Sequence, residues 1–169
     1  MSVRPLRIAF VFSTRSMGGM EARAARLAQL ARARGHEVAF GCPPGSRLDQ
    51  RLAQYEVPRF GLHIHGSLDL VANIKLVRRL RHFDADLLMA FSGKDYWMVI
   101  LAGQLTGIPV VLNRSTPSPL RSLSIPVIKR SDAILAVSQG IKNLLMAQGV
   151  PNSLIHVIHV GVDTAAFSP

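Results

Sequence analysis

The chain has 169 residues, of which 49% are hydrophobic, enough for one domain that buries roughly two-thirds of its unfolded surface. Lys and Arg number 20 against 10 Asp and Glu, and this excess favours a negatively charged partner: nucleic acid, an anionic lipid or a phosphorylated substrate. No apolar stretch reaches the roughly 18 residues of a membrane span, and a single cysteine, Cys42, excludes an internal disulfide.

The amino-terminal segment MSVRPLRIAFVF carries charge and then an apolar run, but no small-residue cleavage site follows it. We therefore expect a first β-strand here and not a signal peptide, and a cytoplasmic location is the default expectation. A genomic bias toward arginine codons is an alternative source of the positive charge, because arginine strongly outnumbers lysine.

Seven short runs rich in Val, Ile, Leu and Phe predict seven β-strands. Most are continuously apolar, which is typical of strands covered on both faces. Helical patterns separate several of them, and this alternation predicts an α/β fold with a doubly wound parallel sheet. The runs span residues 7–13, 37–42, 59–64, 85–92, 109–115, 133–138 and 154–161.

Four helices are predicted between these strands. The segment 96–105 is apolar nearly all round and should be the most buried helix. Ser138 is the expected cap of the last helix, which Gly149 closes. The helix at 20–34 carries its apolar stripe on Met20, Ala24, Leu27 and Ala31 and ends at Gly35. The helix at 69–82 carries its apolar side on Leu70, Ile74 and Val77.

Gly18 and Gly19 lie where the first strand meets the first helix, at the sheet edge where doubly wound folds bind ligands. Glycine lets the backbone approach a ligand and adopts positive φ without penalty. The following helix offers unpaired N–H groups to a phosphate or carboxylate. We interpret the pair as an anion- or sugar-facing turn; a plain tight connection is the alternative. The stretch SMGGMEA lacks both G-x-G-x-x-G and Gly-Lys-Ser/Thr, which disfavours a dinucleotide or nucleoside-triphosphate site.

Several stretches, in order along the chain, resemble glycosyltransferase family 4 enzymes. MGGMEARAARLAQLARARGHEVAF resembles the family's opening, and GIPVVLNRS, SDAILAVSQGIKNLLMAQGV and IHVIHVGVDTAAFSP resemble later segments. In the last of these, His159 and Val160 precede Gly161 where the family usually has Asn-Gly-Val-Asp. FSGKDYWMVILAGQLTGIPVV resembles a subgroup associated with cell-envelope polysaccharide and lipopolysaccharide synthesis.

The resemblance implies the N-terminal half of a GT-B fold, in which two Rossmann-like domains face each other across a cleft. The N-terminal domain chiefly holds the acceptor. The C-terminal domain chiefly holds the nucleotide-diphosphate-sugar donor and carries a Glu-x7-Glu element, which this sequence lacks. We expect residues 1–163 to form the acceptor-side domain and residues 164–169 to begin the linker to a donor-binding domain. The family also implies retention of anomeric configuration and no metal or other cofactor, and the fragment alone should be inactive.

By match to the family, Gly18 and Gly19 are expected at the cleft floor, near the donor phosphates or the transferred sugar. Their N–H groups can stabilise charge that develops on the departing diphosphate. Glu21 aligns with the glutamate that follows the glycine pair. Its two interpretations are contact with a ligand and a favourable acid at a helix start.

Many family members carry a histidine at the end of the fourth strand, and here that position is Phe91. Ser92, Lys94 and Asp95 follow on a loop at the same edge. In one interpretation Asp95 holds an acceptor hydroxyl and Lys94 a phosphate. In the other, Ser92 or Asp95 merely caps the helix that begins near Tyr96.

Two further groups of polar residues are candidates for a site. Arg114 and Ser115 end the fifth strand and are expected to face the cleft, unless the prolines that follow mark only an irregular loop. His63 and His65 share one face of a strand, but no Cys, Asp or Glu nearby completes a metal site, so none is expected. Nor does the sequence contain a legible nucleophile–base constellation.

Basic residues cluster in the second predicted helix, with a second group at Arg121, Lys129 and Arg130 beside apolar residues. Cations next to apolar side chains suit a surface that rests on an anionic bilayer; a solvated helix face is the alternative. Nucleic acid is disfavoured because the few aromatic residues fall mostly in apolar runs. The expected membrane-facing residues are Lys75, Arg78, Arg79 and Arg81.

The leading hypothesis is the acceptor-binding domain of a glycosyltransferase that moves a sugar from a nucleotide-diphosphate donor to a cell-envelope glycan or glycolipid, such as lipopolysaccharide. Its expected location is cytoplasmic, peripheral on the inner face of the cytoplasmic membrane. A non-catalytic domain that binds carbohydrate or protein is one alternative. Half of a nucleotide-sugar epimerase is another.

Overall fold

The computed structural model describes residues 4–15, 18–66, 69–159 and 161. Its centre is a seven-stranded, wholly parallel sheet in the order β3-β2-β1-β4-β5-β6-β7. This confirms the predicted doubly wound α/β fold, and every predicted strand is present. The strands are β1 Arg7–Val11, β2 Glu37–Cys42, β3 Arg59–Gly61, β4 Leu87–Ala90, β5 Val110–Arg114, β6 Ala133–Ala136 and β7 Ile155–Val157.

The four predicted helices are also present. Ser138 caps the last of them by accepting a hydrogen bond from the Ile141 N–H at 3.3 Å, as expected. Two short helices, at 47–54 and 125–128, were not predicted. The helices are α1 Gly19–Ala33, α2 Arg47–Gln54, α3 Leu70–Phe83, α4 Tyr96–Thr106, α5 Ile125–Ile128 and α6 Gln139–Ala147, with 3-10 turns at Ser122–Ser124 and Asn152–Leu154.

The strand order reverses at the centre of the sheet. β1 pairs with β2 on one side and with β4 on the other, with Ile8 opposite both Val38 and Leu87. The connections that leave β1 and β4 therefore run to opposite faces of the sheet and open a crevice at its carboxyl edge. The candidate site lies in this crevice.

One face of the sheet is covered by α1 and α2, and an aromatic cluster packs beneath them. Ring centroids lie 5.6 Å apart for Phe10 and Phe91, 5.9 Å for Phe12 and Phe91, and 6.3 Å for Phe40 and Phe91. The other face is covered by α3, α4, α5 and α6. Both faces of the central strands are thus buried, which explains their continuously apolar sequences.

Cys42 ends β2 inside the layer beneath α1 and α2, and its side chain is only 1% exposed. Burial, together with the nearby Asp49 carboxylate, raises the pKa of the Cys42 thiol to about 12. The thiolate, which is the reactive form of cysteine, is therefore scarcely populated at neutral pH.

The orientation of α3 differs from the prediction. Leu70 and Ile74, expected on the core side, are 66% and 53% exposed. The reason is Asn73, which is buried because its side-chain amide donates to the Met98 carbonyl oxygen of α4 at 2.9 Å. This contact turns the helix so that other residues face the core. The buried residues of α3 are Ala72, Asn73, Leu76 and Leu80.

The helix predicted to be the most buried, α4, has six buried residues among its eleven. It packs so closely on β5 that a Cβ added at Gly103 would overlap the Val110 side chain and lie 3.0 Å from the Ile108 carbonyl oxygen. No helix among the described residues is long and apolar enough to cross a bilayer.

We therefore expect Gly103→Ala to lower the free energy of unfolding by about 1–3 kcal/mol, because the methyl group would push α4 away from β5. Urea denaturation monitored by circular dichroism measures the change. Gly19→Ala is the control, since nothing lies within 4 Å of a Cβ at that position. Equal stability of the Gly103→Ala variant and the wild type would contradict the close packing.

Candidate functional site

Two adjoining cavities lie at the carboxyl edge of the sheet. The first cavity has a volume of about 580 Å³ and lies between the end of β1, the start of α1 and the loops that follow β3 and β4. Its lining is mostly polar, with the exception of three apolar side chains. The lining residues are Phe12, Ser13, Thr14, Arg15, Met20, Glu21, Ile64, His65, Gly66, Ser92 and Lys94.

Ser13 and Asp95 link the ends of the two central strands. The Asp95 carboxylate accepts a hydrogen bond from the Ser13 N–H at 3.0 Å and a second, short one from the Ser13 hydroxyl. Asp95 is fully buried, and burial raises the pKa of its carboxyl group to about 6, although the bonds from Ser13 and the charge of Lys94 oppose the shift. The carboxylate makes no cap hydrogen bond to α4 and lines neither cavity. Asp95 thus occupies the N-cap position of α4, as one interpretation expected, but its carboxylate positions Ser13 and does not cap the helix.

The glycine pair is not strained. Gly18 has φ −138°, so positive φ is not its function here. Its N–H donates to the Glu21 carboxylate at 2.9 Å, and Glu21 is 5% exposed. The helix-start role of Glu21 is thus present in the structure, while the Gly18 N–H is already used within the chain. Gly19 is exposed, with open space where a Cβ would be, and neither glycine is among the residues that line the two cavities.

The second cavity has a volume of about 340 Å³ and lies at the ends of β4 and β5. Ser92 and Lys94 line both cavities, so the structure brings these two predicted residues together with Arg114. The lining residues are Ser92, Gly93, Lys94, Trp97, Arg114, Ser118, Pro119, Leu120, Arg121 and Ser124.

Ser115 was also predicted to face the cleft, but its side chain is hydrogen-bonded to Arg23 of α1. Its hydroxyl accepts a hydrogen bond from Arg23 at 3.0 Å and donates to the Asn113 side chain at 3.1 Å. It lines neither cavity. Phe91 likewise points away from the crevice into the aromatic cluster and is 5% exposed. No side chain at the end of β4 itself therefore offers a polar group to the site.

Among the histidines, His65 lines the first cavity, and its ring stacks with that of His63 at a centroid distance of 6.4 Å. In the described residues, no three His, Cys, Asp or Glu side chains are grouped closely enough to hold a metal ion.

Sequence reasoning did not assign Ser13 or Trp97 to the site. The available signal for Ser13 was its position directly after a predicted strand, because the carboxyl ends of parallel strands share one edge. Trp97 had a comparable signal, since it lies in the first turn of the helix that follows the Ser92–Asp95 loop. Its ring N–H donates to the Ser124 hydroxyl at 3.2 Å, which fixes the indole beside the second cavity.

Another cavity, of about 360 Å³, lies at the opposite, amino edge of the sheet. Arg7, Arg59, Arg79 and His82 line it together with Glu37. Ligands of doubly wound sheets bind at the carboxyl edge, and we therefore place the candidate site in the two adjoining cavities.

The raised pKa of Asp95 predicts a specific pH dependence of the free energy of unfolding. Its pKa rises from an ordinary 3.8 to about 6 on folding, so the folded state binds more protons and the unfolding free energy falls as pH increases through this range. We expect Asp95→Asn to abolish this fall, as measured by urea unfolding at several pH values. Asp86→Asn is the control of opposite sign, because a backbone hydrogen bond from Arg7 lowers the Asp86 pKa. Identical pH profiles for Asp95→Asn and the wild type would contradict the assignment.

Solved structures share this fold. The complex of Anabaena Alr3699/HepE with UDP and glucose matches with a TM-score of 0.80 and 20% identity, over 95% of this chain and 46% of that chain. A glycosyltransferase from Rickettsia africae matches with a TM-score of 0.87 and 18% identity, over 98% and 46%. A putative UDP-N-acetylglucosamine 2-epimerase from Listeria monocytogenes matches with a TM-score of 0.68 and 12% identity, over 90% and 44%. The chain thus spans about half the length of the solved chains that it matches.

At these identities the structural likeness establishes the fold, and a transferase and an epimerase share it. No curated protein sequence matches the chain. The sequence distinguishes between these two families, because the model of Glycosyltransferase Family 4 matches residues 17–166. That match covers most of the chain. It includes the whole lining of the second cavity and the lining of the first cavity from Met20 onward. The chain therefore belongs to glycosyltransferase family 4.

Proposed function

We propose that the chain is the acceptor-binding part of a glycosyltransferase that transfers a sugar from a nucleotide-diphosphate donor to a cell-envelope glycan or glycolipid. The observation that carries the proposal is the pair of adjoining cavities at the carboxyl edge of a family 4 domain. Ser92 and Lys94 lie between them and face both, so one extended ligand can contact the two cavities at once.

The donor side of the proposal is supported by a structural neighbour. Anabaena Alr3699/HepE binds UDP and glucose and has the same fold over this chain. We assign the donor to the nucleotide-diphosphate sugars on that basis, with retention of anomeric configuration as in the family and with no metal or cofactor. Most donor contacts would come from a second domain after residue 163, which the first cavity would face. The proposed linker, residues 164–169, lies outside the described residues.

A cell-envelope acceptor is supported by the outer face of α3, which we define as Leu70, Val71, Ile74, Lys75 and Arg78. The three apolar side chains are 53–66% exposed, and both basic residues are exposed beside them. An exposed apolar surface next to cations suits the interface of an anionic bilayer. We therefore propose a peripheral position on the inner face of the cytoplasmic membrane.

The other two residues predicted to face the membrane differ in position. Arg81 donates a hydrogen bond to the Leu105 carbonyl oxygen at 3.3 Å, and Arg79 lines the cavity at the amino edge. The proposed contact is therefore centred on the amino-terminal half of α3. Leu123, which is 81% exposed and follows Arg121, adds a second apolar point near the second cavity.

An orphan binding domain and an epimerase half are the competing proposals. An epimerase would bind a nucleotide sugar as its substrate and would need no glycan acceptor. The proposals are therefore separated by which ligand the two cavities bind.

Trp97 is the single tryptophan of the chain and lines the second cavity, so its fluorescence reports occupancy. We expect saturable changes with lipopolysaccharide core oligosaccharides, weakened about 2- to 10-fold by Ser92→Ala through loss of a hydrogen bond. Ser122→Ala, an exposed serine that lines neither cavity, is the matched control. The chain alone should transfer no sugar from UDP-glucose. Binding of UDP-sugars with no response to any envelope glycan would favour the epimerase.

Flotation with liposomes tests the membrane proposal. We expect binding to vesicles that contain phosphatidylglycerol, and about tenfold or greater loss for the double variant Lys75→Glu/Arg78→Glu, because each basic residue contributes about 1 kcal/mol near an anionic surface. Leu70→Ser/Ile74→Ser should lose the binding that persists at high salt. Arg34→Glu/Arg47→Glu, with both residues exposed on the α1 and α2 side, is the matched charge control. Equal losses in the control would refute a role of α3.

A further inference from the structure

Arg114 is a buried cation with incomplete hydrogen bonding. Its side chain ends β5 and is 7% exposed, yet it lines the second cavity. One terminal nitrogen, Nη2, donates to the Ser118 carbonyl oxygen and hydroxyl. The buried Nε has no hydrogen-bond partner among the described residues, which is costly for a donor on a charged group. Nε itself is enclosed, but the guanidinium lines the cavity, and its Nη1 lies beside the open space at Gly93.

Among the described residues, no acidic side chain supplies a hydrogen-bond acceptor to this guanidinium. None of the ion pairs among the described residues includes Arg114. The neighbouring Asp95 carboxylate is bonded to Ser13. The neighbouring Tyr96 hydroxyl donates to the Asn113 carbonyl oxygen at 2.7 Å, and its oxygen is also hydrogen-bonded to the Arg114 side chain. Burial raises the pKa of Tyr96, so this partner is neutral and leaves the charge of Arg114 uncompensated.

The rest of the second cavity has the same positive character. Lys94 and Arg121 line it with Arg114, and its lining contains no Asp or Glu. Helix α4 begins beside this cavity. No side chain caps its amino-terminal end, because the Asp95 carboxylate is bonded to Ser13. The positive end of the helix dipole therefore adds to the three cations. Gly93 keeps the space beside Arg114 open, because a Cβ there would lie 3.6 Å from Nη1.

We propose that the second cavity binds a phosphoryl group of a phosphorylated glycan acceptor. A planar guanidinium that lines the cavity and has no anionic partner matches phosphate oxygens, and the fixed Trp97 indole beside the cations offers an apolar face to the adjacent sugar ring. This inference rests on the proposed function and narrows its acceptor to phosphorylated sugars.

Titration of the chain with sodium phosphate against sodium chloride at equal ionic strength tests the site, with Trp97 fluorescence as the readout. We expect saturable binding of phosphate that is weakened by at least tenfold in Arg114→Gln. Because Arg114 is buried, the exposed variants Lys94→Ala and Arg121→Ala serve as second tests that leave the core intact. Each should weaken phosphate binding up to about fivefold. Arg34→Ala should leave it unchanged. No phosphate binding above chloride, or equal binding by all variants, would overturn the site.

The source of the phosphoryl group is tested by comparing inorganic phosphate, glucose 6-phosphate, glucose and UDP. Tighter binding of glucose 6-phosphate than of phosphate or glucose supports a phosphorylated acceptor, whereas preferential binding of UDP would assign the site to the donor and overturn the inference. Binding of neutral core oligosaccharides without phosphate binding would overturn the inference and retain the proposed function. Phosphate binding without any response to a sugar phosphate or glycan would contradict the acceptor role itself.

Discussion

The hydrogen bonds between Ser13 and the buried Asp95 carboxylate hold the candidate site together. They join the ends of β1 and β4 at the point where the strand order reverses, and the connections from these strands run to opposite faces of the sheet. This link ties the loop that follows β1 directly to the loop that follows β4. The first cavity, the exposed end of α1 and the loop with Lys94 therefore depend on one carboxylate that is fully buried.

Packing explains why the strands supply the core and the loops supply the polar groups of the candidate site. Phe91, the residue directly after β4, points into the aromatic cluster with Phe10, Phe12 and Phe40, so its side chain belongs to the core. The chemistry-bearing groups come from the next residues outward, on loops. A rigid apolar sheet with variable polar loops is the usual means by which one fold acquires different ligands.

The strands of the sheet could be predicted from the sequence. Both faces of the central strands are buried, so each appears as a continuous apolar run. The orientation of α3 could not be predicted in this way. Its buried Asn73 amide donates to a carbonyl oxygen of α4, and this contact turns a different side of the helix toward the core. The short α2 and α5 lack the length for a periodic signal. The Ser92, Lys94 and Arg114 group was predictable from edge positions alone. The Ser13–Asp95 hydrogen bond was not predictable, because it joins residues 82 positions apart. A local sequence pattern carries no information about so distant a contact. The placement of Ser115 against Arg23 depends on the same kind of distant contact.

The buried state of Cys42 makes the protein convenient for site-directed labelling. Its thiol is enclosed beneath α1 and α2 and remains protonated at neutral pH, so maleimide and nitroxide reagents have no reactive native target in the folded chain. A cysteine introduced on an exposed residue, such as Leu123, would then be the unique attachment point. Distances and immersion depths are thereby measurable by spin or fluorescence labels without first removing the native cysteine, which would leave a void in the packed layer.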